Sequence, residues 1–222
     1  MKMDRNNKTA ILLGASGLIG SFLLDILLNS EEYSSVVIFV RKEISRNHPK
    51  LTQHIIDFDK PDRYARLVKG DDLFCCLGTT IKQAKTREAF RKVDYDYPVK
   101  FAATAKENGV KQYLMVTSIG ASAGSSVFYL KTKGECEESV RQINIPSTSV
   151  FRPSSLLGER KVVRPMEKVG EVVMKLFSFC LIGKLKKYKP IQAHRVAQAM
   201  YTVAQATTEG FHIYESDKIQ SL

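Results

Sequence analysis

The chain has 222 residues, of which 44% are hydrophobic and 26% are charged, and its formal net charge is +11 at pH 7. This length suits one domain of the larger kind with a full core, and the composition excludes a low-complexity or disordered chain. The cations are spread along the chain, without a zinc-finger spacing or an aromatic RNA-binding signature. No nucleic-acid partner is therefore expected.

The sequence predicts neither export nor a membrane span. A basic N-terminus precedes an apolar run, but glycines and Asp25 interrupt that run and its periodicity is helical. The apolar segment Val172–Ile182 is too short to cross a bilayer. No Cys-x-x-Cys pair occurs among Cys75, Cys76, Cys136 and Cys180. Because this pattern favours reduced thiols, we expect a cytoplasmic protein.

The first predicted element is a buried strand, Ala10–Leu13, which leads into a glycine turn and an apolar-periodic helix. Free N–H groups and the positive end of the dipole at such a helix N-terminus form a site for a pyrophosphate. Gly14 would let the chain turn sharply, Gly17 would let the backbone approach the phosphates, and Gly20 would let helix and strand pack closely. The predicted cofactor contacts of this turn are Gly14, Ser16, Gly17, Leu18, Ile19 and Gly20.

Strands alternate with helices along the rest of the chain. The predicted strands after the first are Ser35–Val40, Gln53–Ile56, Asp71–Leu77, Gln112–Ser118, Ser147–Phe151 and Phe211–Glu215. The clearest predicted helices are Tyr95–Asn108, Met166–Ile182 and His194–Gln205. Apolar strands separated by helices predict an α/β fold of the Rossmann type, a doubly wound parallel sheet covered on both faces. We expect one domain, with its core at about 8–153 and a small substrate-pocket region at about 154–222 over the C-terminal edge of the sheet.

Polar side chains follow three of the predicted strands. Arg41 and Lys42 stand after the second strand, where an acidic residue would bind the ribose of NAD; two cations suit the extra 2′-phosphate of NADP instead. NAD is the less favoured alternative. Asp57 and Phe58 follow the third strand and would contact the adenine, although a simple turn aspartate is the competing interpretation. After the fourth strand, the predicted contacts with a ribose or phosphate are Leu77, Gly78, Thr79 and Thr80.

Tyr129 and Lys133 form a Tyr-x-x-x-Lys pattern, which on a helix places both side chains on one face. A lysine ammonium favours the phenolate form of such a tyrosine, which can exchange a proton with a carbonyl or alcohol during hydride transfer with a nicotinamide. The lysine can also hold the nicotinamide ribose. Ser118, at the end of the fifth strand, is the predicted donor to the same substrate oxygen. A second such pattern begins at Tyr214, in the last predicted strand and remote from the site.

Together these motifs resemble the short-chain dehydrogenase/reductase superfamily, and most closely its atypical branch of Tat-interacting-protein-like oxidoreductases. The resemblance is carried by 14–20, 75–80, 93–97, 129–135 and 150–153. It implies a Rossmann core, bound NADPH and a Ser-Tyr-Lys catalytic set of Ser118, Tyr129 and Lys133. It also implies that the residues beside the nicotinamide are Arg152, Pro153 and Leu156.

Two positions depart from the pattern of the superfamily. Ser118 precedes Tyr129 by only 11 residues, so Thr117 or Ser122 is an alternative donor to the substrate oxygen. Asp94 stands near where many relatives carry an asparagine of the proton relay.

The sequence thus predicts an NADP(H)-dependent oxidoreductase acting on a small carbonyl or alcohol, with a homodimer as a further expectation. None of the four histidines has a metal-ligand spacing, so no metal is expected. One alternative is an NADPH-binding regulatory module with little turnover. The other is an NAD-dependent sugar-nucleotide epimerase or dehydratase, against which the small C-terminal region argues.

Overall fold

The computed structural model describes residues 7–158, 187–206 and 208–222. Its strands are β1 (Lys8–Leu13), β2 (Tyr33–Val40), β3 (Leu51–Ile55), β4 (Asp72–Cys75), β5 (Gln112–Val116), β6 (Ser147–Arg152), β7 (Leu156–Leu157), β8 (Ile191–Gln192) and β9 (Gly210–Glu215). Its α-helices are α1 (Leu18–Asn29), α2 (Ile81–Ala84), α3 (Arg87–Arg91), α4 (Tyr97–Glu107), α5 (Phe128–Ile143), α6 (Ala193–Ala206) and α7 (Ser216–Ser221). A π-helical segment, Lys92–Asp96, joins α3 to α4, and two 3₁₀ turns lie at Pro61–Arg63 and Ala65–Leu67.

In the part of the chain that the structure describes, seven strands form one parallel sheet in the order β3-β2-β1-β4-β5-β6-β9. The strand order reverses at β1, so the crevice between the ends of β1 and β4 is the switch point where open α/β sheets bind their ligands. Strands β7 and β8 pair separately, also in parallel. The predicted Rossmann-type sheet is confirmed.

Two apolar layers cover the faces of the sheet. On one face α1 packs against α6, with Leu23, Leu27 and Met200 fully or almost fully buried. On the other face α4 and α5 contribute Phe101 and Val140, which are fully buried. In β1, Ala10 and Leu12 lie in one layer and Ile11 and Leu13 in the other, which is why this central strand is apolar at four successive positions.

The described part of the C-terminal region contributes to the main sheet and to one of its covering layers, and the substrate-pocket role expected for 154–222 stays a prediction. Strand β9 pairs with β6 and completes the sheet, and α6 belongs to the same layer as α1. The predicted strand Phe211–Glu215 is confirmed, and β9 begins one residue earlier. The predicted helix Met166–Ile182 falls outside the described residues.

The remaining differences concern the ends of elements. Two predicted strands, Asp71–Leu77 and Gln112–Ser118, run two residues too far at their C-terminal ends, because the apolar or small residues there continue into site loops. The predicted helix Tyr95–Asn108 begins inside the π-helical segment. Pro98 lacks the N–H that would continue an α-helical ladder from Asp94, which favours a wider turn at this point.

The three cysteines in the described ranges, Cys75, Cys76 and Cys136, are free thiols. No helix within these ranges is both long enough and apolar enough to cross a membrane.

Candidate active site

The glycine turn after β1 is shaped by close backbone contacts. Gly14 has a φ of +80°, and a Cβ there would lie 2.5 Å from the carbonyl oxygen of Cys76 at the end of β4. A Cβ on Gly20 would lie 2.1 Å from the carbonyl oxygen of Gly14. Both contacts are with main-chain atoms that cannot rotate away, so only glycine fits. The predicted sharp turn at Gly14 and close packing at Gly20 are confirmed.

The N-terminus of α1 opens toward the switch point without a side-chain cap. Gly17 is the N-cap residue, and neither a capping side chain nor an acidic residue occupies the first turn. The N–H of Gly17 donates to the Gly14 carbonyl over 2.9 Å, and Ser16 and Gly17 are exposed. The first N–H groups of an α-helix have no intrahelical partner. Those of Leu18, Ile19 and Gly20 are therefore available to an anion, which is what a pyrophosphate requires.

Arg41 and Lys42 lie immediately beyond the C-terminal end of β2, at the edge of the sheet where the glycine turn follows β1. Both are exposed, and neither forms an ion pair or hydrogen bond with another described residue. Two unpaired cations at this position fit the 2′-phosphate of NADP.

Asp57 and Phe58 have local roles in the loop after β3. The Asp57 carboxylate accepts the N–H of Asp59 over 3.1 Å and pairs with Lys60 at 3.3 Å, the behaviour of a turn aspartate. The Phe58 ring is buried against Phe101, with the two ring centroids 5.8 Å apart. The adenine contacts assigned to both residues stay predictions.

The loop after β4 meets the π-helical segment and α5 at one point. The Thr79 N–H donates to Asp94 Oδ2 over 2.9 Å, and Lys133 Nζ lies 2.7 Å from Asp94 Oδ1. A Cβ on Gly78 would lie 3.4 Å from Asp94 Oδ1 and 3.6 Å from Lys133 Nζ. Thr80 has a local structural role instead: its hydroxyl caps α2 by accepting the Gln83 N–H over 3.2 Å. Two predicted cofactor residues, Gly78 and Thr79, are thereby brought to the predicted catalytic lysine.

The Lys133–Asp94 ion pair is buried, with exposed side-chain fractions of 6% and 0%. Burial lowers the pKa of the Lys133 ammonium, but the charge of Asp94 and its contact with the ammonium raise it more. The net pKa of Lys133 therefore lies above its usual value, and the lysine is a cation at neutral pH. Only the resemblance drew attention to Asp94; nothing in the local sequence distinguishes it from a surface aspartate.

Tyr129 lies in the first turn of α5, one helical turn before Lys133 and on the same face. Its side chain is half-buried, and its ring centroid is 5.5 Å from that of the fully buried Phe90. Within the described ranges its hydroxyl has no hydrogen-bond partner. The ring is thus held by the protein while the hydroxyl remains free for a substrate oxygen.

The three hydroxyl groups predicted as donors to the substrate oxygen lie after β5 and differ in what they contact. The Thr117 hydroxyl donates to the buried Glu137 carboxylate over 2.6 Å and is therefore already engaged. Ser122 is exposed, and its N–H donates to the Leu130 carbonyl. Ser118 is half-buried, and its hydroxyl makes only a 3.4 Å contact with the neighbouring Ile119 carbonyl.

The guanidinium of Arg152 is held by Glu137 and by Glu215, the latter at 3.4 Å. The Pro153 carbonyl accepts the N–H of Ile119 over 3.0 Å, which ties the end of β6 to the loop that carries Ser118. Leu156 packs against the apolar layer that contains α1. These contacts anchor the floor of the site, and the implied approach of Arg152, Pro153 and Leu156 to a nicotinamide stays a prediction.

Fold and site together define a dinucleotide-binding domain of the Rossmann class. Main-chain amides at the switch point meet the requirement of a pyrophosphate, and Lys133 lies beside Gly78 in the loop after β4. The described residues contain no group of three or more His, Cys, Asp or Glu side chains that could hold a metal ion.

Comparison with known proteins narrows this class to a family. A family model described as NAD(P)H-binding matches residues 14–175. Protein HTATIP2 of Rattus norvegicus is 39% identical over 165 residues, which are 72% of this chain and 68% of that protein. Protein FMP52-1, mitochondrial, of Scheffersomyces stipitis is 32% identical over 210 residues, 90% of each chain. The chain belongs to this NAD(P)H-binding family, in the Tat-interacting-protein-like branch of the atypical short-chain dehydrogenases/reductases.

Solved structures agree on the fold. The structure of MoeE5 in complex with UDP-glucose and NAD superimposes with a TM-score of 0.71 at 14% sequence identity, covering 96% of this chain and 80% of that one. At this identity the likeness concerns the fold alone.

Proposed function

We propose that this protein is an NADP(H)-dependent oxidoreductase that interconverts a small carbonyl compound and its alcohol. The observation that carries the proposal is the buried Lys133 ammonium, held 2.7 Å from Asp94 one helical turn from the free hydroxyl of Tyr129. A buried charge is expensive to maintain, and sites that shift pKa values in this way are concentrated where proteins do chemistry.

The residues on the β1–β2 side fit NADP. A Cβ is excluded at Gly14 and Gly20, α1 has no side-chain cap, and Arg41 and Lys42 have no partner among the described residues. Main-chain N–H groups would hold the pyrophosphate and the two cations the 2′-phosphate. The choice of NADP over NAD rests on these two cations.

Bound NADPH supplies the hydride for reduction of the carbonyl carbon. The Tyr129 hydroxyl donates its proton to the carbonyl oxygen, and it accepts a proton from the alcohol in the reverse direction. Lys133 holds positive charge beside that hydroxyl and would bind the nicotinamide ribose. Ser118 donates a hydrogen bond to the same substrate oxygen and orients it; Thr117 is less suited because its hydroxyl is bound to Glu137.

The first experiment measures the thermal midpoint of unfolding with NADPH, with NADH and without either. At about 100 times the dissociation constant, binding adds about 2.7 kcal/mol. For a domain of this size the midpoint would rise by about 5–10 °C. We expect this rise with NADPH and a smaller one with NADH. An equal or larger rise with NADH would contradict the assignment of Arg41 and Lys42, and no rise with either would remove the enzyme proposal.

The second experiment follows NADPH consumption with a panel of aldehydes and ketones. Tyr129→Phe should lower turnover by at least about 100-fold because the general acid is lost, while NADPH affinity stays close to that of the parent protein. Tyr214→Phe is the matched control, since this tyrosine starts the second Tyr-x-x-x-Lys pattern but lies in β9. Its ring stacks on that of Phe151 in β6, with the two centroids 5.1 Å apart. Equal turnover in Tyr129→Phe would end the catalytic assignment.

Two other results would redirect the proposal. NADPH binding without turnover of any carbonyl would favour a regulatory module in which the cofactor biases a surface for a protein partner. Tight retention of NAD through purification would favour a sugar-nucleotide enzyme, the class to which the MoeE5 complex with UDP-glucose and NAD points.

A further inference from the structure

The segment that carries α2 and α3 is basic and lies beside the predicted catalytic tyrosine. It follows the Gly78–Thr80 loop directly and contains a single acidic residue, Glu88. Its cations are Lys82, Lys85, Arg87 and Arg91. This segment therefore carries a local excess of positive charge, whereas the cations elsewhere are spread along the chain.

An aromatic cluster fixes α3 against the start of α5. Phe90 is fully buried, and its ring centroid lies 5.7 Å from that of Phe128 and 5.5 Å from that of Tyr129. One helical turn earlier, the Cζ of Arg87 lies 5.1 Å from the centroid of Phe128. The guanidinium thus rests on the ring of the residue next to Tyr129, where a cation–π contact favours it.

Arg87 and Arg91 differ in their partners. Arg91 forms an ion pair with Glu135 and lies over the Tyr95 ring at 4.0 Å, so its charge is balanced within the protein. Arg87 is exposed and forms no ion pair within the described part of the chain. Glu88, its neighbour in sequence, is engaged mainly by its own main chain and by Thr86 at the N-terminus of α3, and the charge of Arg87 acts on it more weakly.

Among the described residues, the segment that leads into α5 offers no counter-charge either. The loop from Ser118 to Val127 contains no charged residue, and the first turn of α5 carries no acid. A positive potential at the mouth of the site attracts anions, and a planar guanidinium binds a carboxylate or phosphate through paired hydrogen bonds.

We propose that the substrate of this site is a carbonyl compound that also bears an oxyanion group, a carboxylate or a phosphate, and that Arg87 is the residue that recognises this group. The inference rests on the proposed function for the position of the reacting carbonyl at Tyr129. Lys82 and Lys85 add to the local potential, while Arg87 makes the directional contact because the Phe128 ring orients its guanidinium.

The test is a titration of the protein loaded with NADP+, which cannot deliver a hydride, by isothermal calorimetry. The probes are 4-carboxybenzaldehyde, 4-formylphenyl phosphate and the neutral 4-formylbenzamide. We expect the parent protein to bind at least one anionic probe about three- to fivefold more tightly than the neutral one. Arg87→Gln should remove this preference, and added salt should weaken it in the parent protein.

Arg66→Gln is the matched control, because Arg66 is also exposed and without a partner among the described residues but lies in the 3₁₀ turn Ala65–Leu67. It should keep the full preference. Equal binding of charged and neutral probes, no binding of any probe, or a preference that survives Arg87→Gln would each overturn the proposal. If NADP+ does not bind, the same titration is made without cofactor, and the same Arg87-dependent preference is expected there.

Failure of the proposed function would look different. An Arg87-dependent preference for the anionic probes, together with no consumption of NADPH by any aldehyde, would support anion recognition and remove the oxidoreductase. Turnover of aldehydes without any preference for the anionic probes would support the oxidoreductase and remove anion recognition by Arg87.

Discussion

The two sides of the switch point differ in the groups that form them: main-chain groups on one side and buried charged side chains on the other. On the β1–β2 side the glycine turn presents main chain, and a Cβ added at Gly14 or Gly20 would lie 2.1–2.5 Å from a carbonyl oxygen. On the β4–β5 side the candidate site depends on buried charged side chains, above all Lys133 and Asp94. The first side works through shape and amide direction, and the second through charges that the fold must stabilise.

This comparison explains why the two sides tolerate change differently. A main-chain surface is lost when an added atom pushes two elements apart. A buried ion pair is lost when one partner is removed and the other charge remains without compensation. The following predictions test these two kinds of construction against each other and against surface features.

The largest effect is expected for Asp94→Ala. Removal of this carboxylate leaves the Lys133 ammonium buried and unpaired, which should lower the free energy of unfolding by about 3–5 kcal/mol. Urea unfolding measures this. Asp59→Ala is the control, since Asp59 also pairs with a lysine, Lys92 at 2.8 Å, but both side chains are nearly half exposed. Similar losses in the two variants would show that burial gives the Lys133 pair no special role.

The next effect separates the three hydroxyls after β5. Ser118→Ala should lower turnover by about 100-fold, because it removes a donor to the substrate oxygen. Thr117→Val should leave turnover nearly unchanged but lower stability by about 1–3 kcal/mol, because the buried Glu137 loses its 2.6 Å hydrogen bond. Ser122→Ala should change neither. Steady-state kinetics and urea unfolding of all three variants would reassign the donor if Ser122→Ala proved the slow one.

Gly20→Ala tests the main-chain side. The added Cβ would lie 2.1 Å from the Gly14 carbonyl oxygen, so α1 must move away from β1. We expect a loss of about 1–3 kcal/mol in stability and weaker NADPH binding, measured by urea unfolding and by cofactor fluorescence. Gly124→Ala is the control, since its Cβ would meet no atom closer than Ser122 Oγ at 3.9 Å. Unchanged NADPH affinity in Gly20→Ala would argue against a pyrophosphate at this turn.

The smallest effect concerns pH and the surface pair of Asp59 and Lys92. The hydrogen bond from Lys92, and then that from Tyr97, lowers the pKa of Asp59 below its ordinary value of 3.8. A lowered folded-state pKa stabilises the protein above the unfolded pKa, and this contribution is lost as pH falls through the folded-state pKa. The stability difference between the parent protein and Asp59→Asn should therefore be small at about pH 7 and shrink further as pH falls below the ordinary aspartate pKa of 3.8. A difference that grew with acid would have the wrong sign.

Much of the fold was predictable because its signals are local. The alternation of apolar strands and periodic helices predicted all seven strands of the main sheet, with errors of one or two residues at their ends. The glycine turn was predictable because the main chain around one βα unit leaves no room for a Cβ at these positions. The errors at β4 and β5 arose where apolar or small residues leave the sheet to line the site.

The rest depended on contacts between distant segments. The packing of α6 against α1 and the order of the strands in the sheet depend on contacts that no local pattern contains. The sequence drew attention to Thr117 and Arg152 but not to Glu137, the carboxylate through which the fold joins them into one network.

By itself, the sequence determined the kind of elements, the position of the glycine turn and the spacing of Tyr129 and Lys133, because propensity, periodicity and glycine sterics act over a few residues. Only the tertiary structure decided which charges lose their water and which keep it. Asp94 and Arg87 lie in one short stretch of sequence, but the fold buries the first against Lys133 and leaves the second exposed on Phe128. Burial and charge compensation are properties of the packed chain, because they depend on segments that meet only when the sheet has formed.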